Sequence, residues 1–157
     1  MDACRSTAAI CLLAFVGLAA VMDVRTRRIP NTLTVSAALA ALLLNLWCGC
    51  ASGAMTWGAG LLTGLAAFLP FYLAGGFGAG DLKAMAAVGA FVGPKGALLA
   101  ALATLGLGGI GALLVLAALR WQAMRARRGW QLTDARHQQF PYGLAIACGT
   151  ALSLRWI

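Results

Sequence analysis

A chain of 157 residues that is 62% hydrophobic and only 10% charged, with a mean hydropathy of +0.87, carries too little polar surface to cover a soluble globule. Its length admits one membrane-embedded domain, 1–157, and no separate soluble domain beside it. The net charge of +8 comes with no nucleic-acid motif or stacking platform, so no nucleic-acid partner is expected.

Apolar runs at about 6–22, 32–51, 54–75, 82–93, 96–119 and 141–157 predict an all-α, polytopic transmembrane helical bundle of about six spans. The first run is followed at once by Arg25, Arg27 and Arg28. That is the flank of a stopped helix and outweighs the signal-peptide features Arg5, Ala19 and Ala20. Pro30 ends any helical path out of this flank, and Asn31 is expected to cap the second span by accepting a backbone N–H.

After the third run, a glycine-rich stretch leads to Asp81, which opens the fourth. Gly78 and Gly80 are expected to let the backbone turn tightly and to admit another chain close by. The fourth run would reach only about 20 Å as a helix, so it is tilted, partly re-entrant or set in thinned membrane. Beyond the fifth run, the segment from Arg120 to His137 reads as a plain cytoplasmic loop. Trp121 and Trp130 are expected to anchor it among lipid headgroups.

Six spans put Arg25, Arg27, Arg28, Lys83, Arg120, Arg125, Arg127, Arg128 and Arg136 on one face and Arg5, Lys95 and Arg155 on the other. The richer face is cytoplasmic, both termini lie outside, and Asp23 and Asp81 share the cytoplasmic rim. The +8 charge is thus mostly a topology signal.

Cys4, Cys11, Cys48, Cys50 and Cys148 show neither metal-ligand spacing nor an even framework, and Cys48 and Cys50 are too close for an easy mutual disulfide. Buried small apolar residues are the expected role. The single histidine, His137, and the lack of HExxH and GxSxG patterns argue against zinc and serine hydrolases, and no metal or cofactor is expected.

The acids carry the functional signal. There are four carboxylates, Asp2, Asp23, Asp81 and Asp134, and no glutamate, and Asp23 and Asp81 sit where apolar runs meet polar turns, a costly place for a charge. Singly, Asp81 reads as a helix cap and Asp23 as an interfacial residue paired with a neighbouring arginine. Together on one rim they point to catalysis or ion handling. Two such carboxylates hydrolyse an amide without a metal: one, ionised, takes a proton from water and the other, protonated, donates to the substrate. Lys83 is a candidate to tune Asp81, and Tyr142 a candidate hydrogen-bond donor near the pair. A proton- or ion-coupled carrier and a non-catalytic membrane scaffold are the rival classes.

The stretch from Asp23 to Asn31, with its D-x-R-x-x-x-I-P-N spacing, and Gly78-Ala79-Gly80-Asp81-Leu82-Lys83 resemble the prepilin peptidases, the GxGD-type aspartic proteases of bacterial membranes. Pro141-Tyr142-Gly143 resembles a third element of that family. The resemblance implies a multi-pass peptidase of the inner membrane that removes the cytoplasmic leader of type IV prepilins or pseudopilins, with Asp23 and Asp81 as the catalytic pair. The substrate helix would lie in the bilayer against glycine-rich faces such as Gly60 with Gly64, or Gly106, Gly109 and Gly111. Only a few residues stand where larger members carry a four-cysteine zinc-binding insert. The resemblance therefore implies peptidase activity without methyl transfer, as in the small members serving Flp-type, tight-adherence pili.

Overall fold

The computed structural model describes residues 2–26, 29–125 and 142–153. Four helices account for nearly all of them: α1 (Asp2–Thr26), α2 (Asn31–Leu73), α3 (Ala79–Arg125) and α4 (Tyr142–Ser153). Three segments, Ser6–Thr26, Asn31–Leu73 and Ala79–Gly111, are long and apolar enough to cross a membrane. The all-helical membrane architecture expected from the apolar runs is thus present among the described residues.

Straight helices of 43 and 47 residues would measure about 65 and 70 Å, twice the hydrocarbon thickness, so α2 and α3 must break. α2 breaks at Cys50 (φ 47°, ψ −126°) and its arms return antiparallel. The Trp57 indole Nε1 donates to the Ala38 carbonyl at 2.9 Å, and Gly53 lies against the Asn45 backbone. α3 breaks at Gly93, whose φ of 73° and ψ of −179° suit only glycine, followed by Pro94. These breaks fall where the sequence separates its second and third, and its fourth and fifth, apolar runs.

Pro94 has no N–H for the carbonyl of Ala90, four residues earlier, which therefore needs another donor. Asn45 supplies the donor: its Nδ2 lies 3.2 Å from the Ala90 carbonyl and 2.8 Å from that of Ala41. Asn45→Leu is expected to lower stability by about 1 kcal/mol, read from unfolding of the detergent-solubilised protein.

The second arm of α2 packs on the first arm of α3 with backbone touching backbone. Gly60 meets the Gly89 carbonyl, and Gly64 meets Met85 and Ala86. Helices in lipid gain little from apolar burial against one another, and small residues allow the close packing that replaces it. Accordingly Leu43, Trp47 and Leu62 face outward while Ala41, Ala90, Ala97 and Ala100 are buried. Leu12, Phe15, Val16 and Ala19 of α1 and Ile146 of α4 join Phe68, Met85 and Val88 in one core. Gly149 of α4 fits against Thr104, and the buried Thr104 and Thr150 hydroxyls donate at 2.7 Å to the carbonyls of Ala100 and Ile146.

The cysteines depart from expectation. Cys4 and Cys48 form a disulfide tying the start of α1 to the end of the first arm of α2, while Cys11 is half-buried and Cys50 and Cys148 are exposed. Sequence spacing missed the pair because the partners lie 44 residues apart on antiparallel helices. Alkylation of the denatured, unreduced protein is expected to label Cys11, Cys50 and Cys148 only, with Cys4 and Cys48 labelled after reduction, as read by mass spectrometry.

Candidate active site

Asp23 lies half-buried in the last turn of α1, where the Thr26 hydroxyl donates to the Met22 carbonyl at 2.8 Å. Arg27 and Arg28, which follow, lie outside the described residues. The chain re-emerges at Ile29, which is buried, and Pro30, which is extended (φ −66°, ψ 139°). The Pro30 carbonyl accepts from the backbone N–H groups of Leu33 and Thr34 and so starts α2.

α2 ends in a Schellman turn. Gly75, at φ 76°, donates its N–H to Tyr72, and Gly76 donates to Phe71. Phe77 then folds onto Phe68 and Phe71, with ring centroids 5.0 and 5.8 Å apart, which returns the chain to the bundle. Gly78 caps α3: its carbonyl accepts from the N–H groups of Asp81 and Leu82, and Asp81 Oδ2 accepts the Gly78 N–H at 3.2 Å. This reciprocal pairing fixes one carboxylate oxygen by the backbone of the glycine turn.

Asp81 is buried, at 9% exposure, and lies within electrostatic range of Asp23. Two contacts dock the segments that carry them. Ile29 sits over Gly80, where an added Cβ would come within 3.3 Å of the Ile29 Cβ, and Lys83 Nζ donates to Asn31 Oδ1 at 2.9 Å.

The expected site residues are therefore placed as follows. Gly78, Gly80, Asp81 and Lys83 share the first turn of α3 and its cap, and Asp23 lies within electrostatic range of Asp81. The tight turn expected of Gly78 and Gly80 is made instead by Gly75, the glycine of this turn in the left-handed region; Gly80 provides close approach, and Gly78 the cap. The expected Asn31 cap is also corrected. No side chain caps α2, and Asn31 Oδ1 receives Lys83. A C-terminal glycine directly after an apolar run was the available signal for Gly75, whereas nothing local marked Asn31 as the partner of Lys83.

Tyr142 opens α4, but its side chain lies outside what is described, as do Trp130, Asp134 and His137. Gly60 and Gly64 are occupied by α3 of the same chain, whereas Gly106 and Gly109 have open space around them. Among the described residues, no three His, Cys, Asp or Glu side chains converge as a metal site would require.

Helices long and apolar enough to cross a membrane, packed in one bundle, are the architecture of an integral membrane protein. The model of the type IV leader peptidase family matches residues 10–116, about two thirds of the chain and inclusive of both aspartates. The chain belongs to that family, and membership makes it a peptidase, a hydrolase of peptide bonds. No curated protein and no solved structure gave a match.

Proposed function

We propose that the chain is an aspartic endopeptidase that cleaves the cytoplasmic leader from type IV prepilins or pseudopilins, those of Flp-type pili in particular, with Asp23 and Asp81 as the catalytic pair. The docking of the Ile29–Asn31 segment on the first turn of α3, with Asp81 within electrostatic range of Asp23, supports this reading. Water between the two carboxylates loses a proton to the ionised one, and its oxygen adds to the scissile carbonyl. The protonated partner donates to the carbonyl oxygen. Collapse of the tetrahedral intermediate then sends a proton to the departing amine.

We read the two arms of α2 and the two of α3 as separate crossings, which with α1 and α4 make six. The acidic pair then faces the cytoplasm and both termini face outward across the bacterial inner membrane. The disulfide supports this orientation. Cys4 and Asp23 are 19 residues apart on one helix, about 28 Å, so the disulfide lies on the rim away from the aspartates, where an oxidising compartment would keep it. The exposed Trp121, late in α3, suits a lipid headgroup contact.

The test is incubation of the purified protein with Flp-type prepilins and other type IV prepilins of the same genome, scored by loss of the leader on mass spectrometry. Cleavage of none of them ends the proposal. A carrier would move protons or ions into vesicles without any substrate protein, and a scaffold would tolerate loss of either aspartate.

A further inference from the structure

α1, which carries Asp23, packs on α4 and also on α2 and α3. Its outer end is fastened by the Cys4–Cys48 disulfide, a whole helix away from Asp23. Beyond Thr26 the next described residues, Ile29 to Asn31, are held by two contacts to the helix that bears Asp81. Ile29 is buried over Gly80, and Asn31 Oδ1 accepts from Lys83 Nζ at 2.9 Å, across 52 residues of sequence.

The two contacts are in register. Gly80 and Lys83 are three apart on α3 and share a face, while Ile29 and Asn31 flank an extended Pro30 and so point to one side. Asp81 lies between the two pins on the helix. Slippage of Ile29 to Asn31 by one residue would break both contacts at once. The apolar contact sets how closely the segments approach, and the polar one, an ammonium on an amide oxygen, sets their alignment.

We propose that Asn31 and Lys83 are positioning residues: their hydrogen bond aligns the segment that follows Asp23 with the helix that bears Asp81. The proposal rests on the peptidase reading above, but the alignment has a readout of its own. In a chain with Cys11, Cys50 and Cys148 changed to serine, the Asp23→Cys/Asp81→Cys variant is expected to cross-link under copper phenanthroline. Adding Asn31→Ala or Lys83→Met is expected to slow that cross-link about tenfold.

With both aspartates intact, the same two substitutions are expected to lower kcat for prepilin cleavage about tenfold and leave KM within about twofold. Lys83→Arg, which keeps a charged donor, and the exchanged pair Asn31→Lys/Lys83→Asn, which keeps donor and acceptor in reverse, are expected to recover most of the loss. Cross-linking and kcat both unmoved by Asn31→Ala and Lys83→Met would overturn the proposal. So would a raised KM at unchanged kcat, which would make Lys83 a substrate contact. A slowed cross-link in a chain whose unmodified form cleaves no prepilin would uphold the alignment and sink the peptidase reading instead.

Discussion

Asp23→Asn and Asp81→Asn are each expected to lower prepilin cleavage by about 10²–10⁴-fold, the range spanned by loss of a positioned general acid or base. An amide can neither take the proton from water nor hand one on as a carboxyl does. The fold should survive, because the side-chain carbonyl oxygen introduced by Asp81→Asn can still accept the Gly78 N–H and so keep the cap of α3. Retained unfolding midpoints with lost cleavage separate catalysis from a structural role.

The pH profile adds a second check. The proposed mechanism needs one carboxylate ionised and the other protonated. Acid, which protonates both members, and alkali, which strips both, each remove the competent state. A bell-shaped kcat profile is therefore expected, and a profile with one flat limb would mean that only one carboxylate takes part.

The second large effect lies in the packing that supports the site. A methyl at Gly60 would overlap the Gly89 carbonyl, and one at Gly89 would overlap that of Gly60; the obstacle in each case is backbone, which cannot rotate aside as a side chain can. Gly60→Ala and Gly89→Ala are each expected to destabilise the protein by about 1–3 kcal/mol, the usual cost of overpacking. Gly58→Ala is the matched control on the same arm, with nothing within 4 Å of the new methyl. It should be neutral or stabilising by about 0.5–1 kcal/mol, since alanine is the better helix former. Unfolding in mixed detergent compares all three, and equal midpoints for Gly58→Ala and Gly60→Ala would show that the two helices do not touch in this way.

Much of this site was legible because it is written in local signals. An aspartate after an apolar run, a proline two residues beyond a basic flank and an aspartate at the end of a glycine stretch each have a positional meaning that survives folding. The apolar runs likewise marked the breaks at Cys50 and Gly93, since a membrane limits how far a straight helix can run.

What escaped depends on tertiary approach. Asn31 had a reasonable local role as a cap, but Lys83 arrives from another helix and takes its oxygen. Gly60 and Gly64 read from the sequence as a face on which a substrate helix could pack, although packing among the chain's own spans is the commoner role of such glycines, and it is α3 that occupies them. Cys4 and Cys48 looked unrelated because only the antiparallel return of α2 places them side by side.

That cross-link also says something about biogenesis. In the orientation proposed above, with thiols reduced in the bacterial cytosol and oxidised beyond the inner membrane, Cys4 and Cys48 would be joined only once the hairpin made by α1 and the first arm of α2 had been inserted with its open ends outward. A molecule inserted upside down would keep both sulfurs reduced, and the covalent state of the mature chain thus preserves a record of the direction in which it entered the bilayer.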